Sequence, residues 1–275
     1  MINRKKEVFI NSISTDRQKY LQSIKRQKFL IYAMQILMLF GVIVAWESLA
    51  RAGVIDSFIM SSPSRMLRTV LNFRNNRLIH HIGVTFTSTM IGFVLGVVIG
   101  LVVAFILWWS SFLASVMDPY LVVINALPKI ALGPVIIIWV GAGMQAVIVM
   151  ALAISLIVTI LEMLNGFAST DAEIVKMAQT FGANKLQTFI KIVFPYNLHT
   201  LFSCLKINIG LSLVGVIAGE FLVSRAGLGY LIIYGGQVFQ MDLVMTSVMI
   251  LAVLAAFVYL FVVLLEKVVT NLFLK

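Results

Sequence analysis

Long uncharged apolar runs recur along this chain, and a helix of about 20 such residues crosses the hydrocarbon core of a bilayer. Residues 29–46 are uncharged, with Gln35 their one strongly polar side chain, and predict a first span. Residues 82–117 also carry no charge but are too long for one helix. Trp108, Trp109, Ser110 and Ser111 offer a polar, aromatic break inside that run. The break divides it into a second span at about 83–107 and a third at about 115–139. Gly141 and Gly143 mark a turn, after which a fourth span runs over about 145–164. Residues 198–223 predict the fifth, with Lys206 near its start and Glu220 near its end, and 23 uncharged residues at 243–265 predict the sixth. In lipid only helices satisfy every backbone group locally, and these runs lack the alternation of barrel strands. The predicted fold is all-α: a polytopic bundle of six transmembrane helices.

Composition agrees. Of 275 residues, 61% are hydrophobic and 12% charged, and mean hydropathy is +1.03. A soluble domain carries about 25% charged residues. So few polar groups cannot cover a globule, and lipid is the solvent. The net charge of +10 does not point to nucleic acid, because eight of the 21 basic residues lie in the first 28 positions, beside the first apolar run. Basic residues there fix orientation in a bilayer. With the N-terminus inside, fourteen basic residues fall in cytoplasmic segments and six outside, leaving Lys129 within the third span. Arg51, Arg65, Arg68, Arg74 and Arg77, all in the first outer loop, weaken this bias without reversing it. Both termini are therefore expected in the cytoplasm. The expected divisions are a basic tail (1–28), the bundle (29–267) with a cytoplasmic loop at 166–197, and a short tail (268–275). Ala50-Arg51-Ala52 superficially resembles a cleavage site, but the preceding basic and apolar regions are too long for a removable signal, so an uncleaved anchor is expected. The single cysteine, Cys204, allows no intrachain disulfide. His80, His81 and His199 have no ligand pattern around them, so no metal is expected.

The loop between the fourth and fifth spans carries the most information. Thr170-Asp171-Ala172-Glu173 has the form of a capping box, which starts a helix near Asp171. Ile174, Ala178 and Phe181 then fall at i, i+4 and i+7 on one apolar face. Gly182-Ala183-Asn184 interrupts the pattern as a left-handed cap and turn would. A second run places Leu186, Phe189, Ile190 and Val193 on one side and Lys185, Gln187, Thr188 and Lys191 on the other. Pro195 ends that helix or begins the next. The pattern alone fits two readings equally: a rigid knob projecting toward another protein, or a helical hairpin lying in the lipid interface.

Here the sequence resembles the binding-protein-dependent ABC permeases. Their signature in this loop runs Glu-Ala-Ala, three residues, Gly, nine residues, Ile, one residue, Leu-Pro. This chain has Lys176-Met177-Ala178, Gly182, Ile192, Phe194 and Pro195 at the same spacing. Lys176, Met177 and Phe194 depart from the signature. The first departure removes any salt bridge implied for the family's glutamate but leaves the elbow geometry standing. The likeness extends from Trp46 to the C-terminus through Ser62-Pro63-Ser64, Leu127-Pro128-Lys129, Gly219-Glu220-Phe221 and Gly227-Leu228-Gly229-Tyr230-Leu231-Ile232. It is closest to the nitrate, sulfonate and taurine branch. The resemblance implies a homodimerising permease subunit of an importer. It implies that Ala178, Gly182, Ala183, Ile192 and Pro195 form an elbow seated in a groove of a separate cytoplasmic ATPase dimer. Further implied partners are an extracytoplasmic solute-binding protein and a second copy of the chain.

Charges inside spans are candidates for function, because one at the bilayer centre costs at least about 2.5–3.5 kcal/mol. Lys129, Asn125 four residues before it, and Glu220 are the candidate path residues. Lys129 either meets an anionic solute or makes a structural contact to a backbone carbonyl or to a carboxylate such as Glu220. Lys206 is expected to snorkel to the interface. Ser88, Gly92, Gly96 and Gly100 in the second span, and Gly215 and Gly219 in the fifth, predict close helix packing within the bundle. Gly227, Gly229 and residues 230–239 predict a re-entrant or interfacial turn, which with residues 62–73 could meet the binding protein. No Gly-x4-Gly-Lys-Ser/Thr phosphate loop occurs, so the chain is expected to be no enzyme and to need no cofactor. Two rivals are kept: a secondary carrier driven by an ion gradient, which would favour inverted repeats, and a non-transporting membrane scaffold.

Overall fold

The computed structural model describes residues 2–72 and 77–273, with side chains for residues 20, 22–72 and 77–271. Phe73 and Arg74 of the first outer loop and Lys275 of the C-terminal tail lie outside the described residues. Described residues outside turns are helical, and no strand occurs among them. The chain divides into two compact units, Met1–Arg65 and Met66–Lys275.

In the first unit, α1 (Ile2–Arg51) runs for 50 residues, and its apolar part is Gln22–Arg51. It stops where Gly53 turns to φ +73°. Two short helices follow, α2 (Ser57–Met60) and α3 (Pro63–Leu71). Asp56 caps α2 by accepting from the Phe58 N–H at 2.8 Å, and Pro63 opens α3, where a missing N–H costs nothing. Glu47 serves both partners in reach: Arg51 donates to one carboxylate oxygen at 2.7 Å and the Ser64 N–H to the other at 3.0 Å.

The second unit takes in α3 from Met66 and continues with α4 (Leu78–Trp109), which ends at the polar break read from the sequence. Ser110 caps α5 (Ser111–Ala126) by accepting from the Leu113 N–H. The expected third span is not one helix. After α5 the chain bends by 85° and continues as a 3₁₀ turn (Lys129–Leu132) and α6 (Gly133–Val140). Proline disfavours helical backbone at the residue before it, and Leu127 is accordingly extended, at ψ 140°. Gly141 and Gly143, at φ +90° and +132°, make the predicted turn into α7 (Met144–Ala168). The loop comprises α8 (Ala172–Thr180), α9 (Lys185–Thr188), a π-helical turn (Phe189–Val193) and α10 (Phe194–Tyr196). Then come α11 (Leu198–Val223), α12 (Leu228–Gln237) and α13 (Met241–Phe273). Among the described residues five helices are long and apolar enough to span a membrane, and six spans result if the bent pair is counted as one.

The core of the second unit forms around α7. A Cβ on Gly92, Gly96 or Gly100 would fall 2.5–2.6 Å from Ala151, Ser155 or Thr159, so α4 lies against α7 with nothing between the backbones but small side chains. On another side of α7, Gly215 and Gly219 of α11 meet the backbone of Ala151 and Val147. Small residues at this interval let helices approach where lipid supplies no hydrophobic drive. A second apolar cluster joins Leu213 of α11, Leu228 and Leu231 of α12, and Leu243, Leu251 and Val258 of α13.

Candidate functional site

Two places gather the residues singled out by the sequence: the elbow between α7 and α11, and the turn that opens α12. Asp171 caps α8 by accepting from the Glu173 N–H at 2.8 Å, one residue later than the capping-box pattern places the cap. Thr170 is committed elsewhere. Its hydroxyl accepts from Asn197 Nδ2 at 2.8 Å, and the same amide nitrogen donates to the Val193 carbonyl at 2.9 Å. With both Thr170 and Asn197 buried, this bond closes the base of the elbow where the chain leaves and re-enters the bundle.

At the tip, the Gly182 N–H reaches the Gln179 carbonyl (2.9 Å) and the Ala183 N–H reaches that of Ala178 (3.1 Å), the paired bonds of a Schellman cap. Gly182 sits at φ +84°, which a residue with a Cβ resists. Asn184 and Gln187 then form a reciprocal capping box that starts α9. The turn is therefore held on both sides by backbone and side-chain bonds.

Only part of each predicted apolar face is buried. Ala178, Phe189 and Val193 pack inward and Ile174 is half-buried, whereas Leu186 and Ile190 are exposed and Phe181 is 84% exposed. Residues 189–193 wind with π geometry, which shifts the phase of the second run relative to a 3.6-residue repeat. Phe189 inserts among Phe105, Trp108 and Phe167, with ring centroids 4.5–5.1 Å away. Of the other elbow residues named from the sequence, Ala183 and Ile192 are half-buried, while Gly182 and Pro195 are exposed. Pro195 lies at the start of α10, where its missing N–H is tolerated.

At the second place, three backbone N–H groups beginning α12 find side-chain acceptors on other helices. The Gly227 N–H donates to His81 Nδ1 at 3.0 Å, the Leu228 N–H to Thr85 Oγ1 at 2.8 Å, and the Gly229 N–H to Glu220 Oε2 at 2.7 Å. Thr85 in turn donates to Glu220 Oε1 at 2.8 Å. The first N–H groups of a helix have no internal partner, and an anionic acceptor there is favoured by the helix dipole. Glu220, 1% exposed, is thus the acidic member of a cap contributed by α4 and α11. Gly227, at φ +118°, leaves room for that carboxylate: a Cβ there would overlap it. His81 is buried in this cap.

The candidate path residues separate. Lys129 Nζ donates to Asn125 Oδ1 at 3.0 Å across the Leu127-Pro128 bend. They lie near an apolar groove of about 520 Å3 lined by Ile130, Pro134, Val214, Ile217 and Phe221. Glu220 is engaged in the α12 cap. Sequence reasoning missed one ion pair. Lys206 Nζ lies 2.5 Å from Glu266 Oε2, joining α11 to α13, with both side chains mostly buried. An unpaired lysine and glutamate within two apolar helices were the available signal.

Comparison with known proteins gives this arrangement a setting. Residues 96–271 match the family described as binding-protein-dependent transport system inner membrane component. The chain is 29% identical over 230 residues to a probable ABC transporter permease protein of Haemophilus influenzae, covering 83% of this chain and 94% of that protein. It is 25% identical over 239 residues to the putative aliphatic sulfonates transport permease protein SsuC of Bacillus subtilis, covering 85% and 86%. In fold it is similar to a chain of a bacterial ABC transporter involved in the import of the acidic polysaccharide alginate, with a TM-score of 0.65 and 14% identity over 92% of this chain and 99% of that one.

Proposed function

This chain belongs to the family of binding-protein-dependent transport system inner membrane components, and we propose that its elbow is the handle through which a separate ATPase drives transport. The chain is a multi-pass protein of the cytoplasmic membrane and the permease component of an ABC importer. The observation that carries the proposal is the elbow itself. Its tip is held rigid by the Schellman cap and the Asn184–Gln187 box, yet it exposes Met177, Phe181, Leu186 and Ile190. Exposed apolar side chains on a stiff projection suit a protein groove. The phosphate-binding loop lacking in this sequence is then supplied by the partner.

In this reading two copies related by a two-fold axis enclose the path. Both termini and the elbow lie in the cytoplasm in this reading, which the excess of basic residues in the segments on the elbow's side supports. The other end of the bundle meets the solute-binding protein. ATP binding closes the ATPase dimer, moves the elbows and biases the bundle between inward- and outward-open states, and hydrolysis resets it. Lys129 and Asn125 face the path, where an ammonium and an amide suit a small anionic solute such as a sulfonate. Glu220 acts by holding the outer turn.

Reconstitution tests this directly. Proteoliposomes containing the chain, its ATPase and its binding protein should lose uptake of the binding protein's ligand when ATP is depleted while the membrane potential is held. Uptake that persists without ATP and follows the ion gradient would establish the secondary-carrier reading instead.

A further inference from the structure

The aromatic cluster under the elbow has a charged member. Lys185, the first residue of α9, directs Nζ at the backbone carbonyl of Trp109, 2.5 Å away, and Trp109 is the last residue of α4. The same ammonium lies 5.8 Å from the ring centroid of Trp108 and 5.3 Å from that of Trp109. A cation at a helix C-terminus meets the negative end of the dipole and an unsatisfied carbonyl. Within about 6 Å of an indole it also gains a cation–π contact. Three attractions therefore converge on one side chain at the end of α4. Phe189, packed on Phe105 and Trp108 of the same helix, anchors the next turn of the elbow to it.

α4 then runs without a break to the other end of the unit, about 42 Å from Trp109 to His81 at 1.5 Å per residue. Along the way it is seated on α7 through Gly92, Gly96 and Gly100. At its far end His81 and Thr85 hold the start of α12 together with Glu220. The same helix thus ends under the elbow and begins at the capped turn.

We infer that Lys185 is a positioning residue that ties the elbow to α4, so that α4 carries movement of the elbow to the α12 turn at the opposite end of the bundle. The inference rests on the elbow being the ATPase handle, and adds which helix receives its motion. Lys185 need not touch the ATPase for this. The elbow's own fold depends on the caps around Asp171, Gly182 and Asn184, not on the ammonium.

The test uses the assembled transporter with Lys185→Met and Lys185→Arg. Lys185→Met should keep the ATPase bound and hydrolysing, while solute moved per ATP falls by about three- to tenfold, the range expected when one link of a coupling network is weakened. Amide exchange over residues 227–231 should change its dependence on ATP in the same variant. Lys185→Arg should restore most of the coupling, because a guanidinium keeps the charge and stacks on indole. Unchanged transport per ATP with unchanged exchange in Lys185→Met overturns the inference, as does loss of the ATPase from that variant, which would make Lys185 a docking residue. Absence of the ATPase from the wild-type complex would instead overturn the handle reading on which the inference rests.

Discussion

Replacing Glu220 separates a structural clamp from a solute contact. Glu220→Ala removes the acceptor of the Gly229 N–H and of the Thr85 hydroxyl, two short bonds to a buried carboxylate. Hydrogen bonds to charged groups contribute about 1.5–3 kcal/mol each, and a buried donor left without a partner adds its own penalty. Because the two bonds share one side chain, the losses do not sum fully, and about 3–4 kcal/mol is the expected cost. Spread over a local opening of the turn, about 3 kcal/mol speeds amide exchange at residues 227–231 by roughly a hundredfold. Glu220→Gln keeps the shape and one acceptor oxygen, so about 1–2 kcal/mol is expected, or roughly tenfold. Thr85→Val is the cross-check: it removes the acceptor for Leu228 and a donor to Glu220 together, and should loosen the same amides. Hydrogen exchange by mass spectrometry on the chain in nanodiscs, with thermal unfolding alongside, reads all three. Unchanged exchange over 227–231 in Glu220→Ala would refute the clamp. Lost uptake with that exchange intact would return Glu220 to the path.

Three further outcomes follow from the same structure. Gly182→Val forces a β-branched residue into φ +84° at a cost of about 1–2 kcal/mol or more; nothing lies within 4 Å of the new Cβ, so the bundle should keep its melting temperature while ATPase co-purification falls. Lys206→Met should cost about 1–3 kcal/mol by leaving Glu266 only the longer contact to His199 Nδ1 at 3.8 Å, less than for a fully buried pair because both groups stay partly accessible, and pairing it with Glu266→Leu should recover most of the loss in thermal unfolding. Ser212 Oγ is buried with no partner among the described residues, so Ser212→Ala should leave the melting temperature unchanged or raise it, since an unsatisfied hydroxyl is removed at little change in shape.

The sequence made some of this visible because the relevant physics is local. The limits of α11 follow from its predominantly apolar run, and the Gly141–Gly143 turn and the Asp171 cap of α8 each rest on residues with few conformational options. The 85° bend was signalled by Leu127-Pro128, but the high overall hydropathy of residues 115–139 hid it, since hydropathy registers composition and not backbone direction. The exposed Ile190 escaped because periodicity assumes 3.6 residues per turn and residues 189–193 do not keep it. The α12 cap could not be read at all. Its acceptors lie 143 and 146 positions from their donors for Thr85 and His81, and only packing of α4 beside α11 brings them together. The tie from Lys185 to Trp109 spans 76 positions for the same reason.

The central claim, that the elbow is seated in a nucleotide-driven partner, is tested most directly by a photocrosslinker placed at Phe181, the most exposed aromatic of the elbow. In membranes containing the complete transporter it should form a covalent adduct with the ATPase subunit, and Gly182→Val should abolish that adduct. Crosslinks to lipid alone, with an active ATPase present in the same membrane, would contradict the account and leave an amphipathic hairpin in its place.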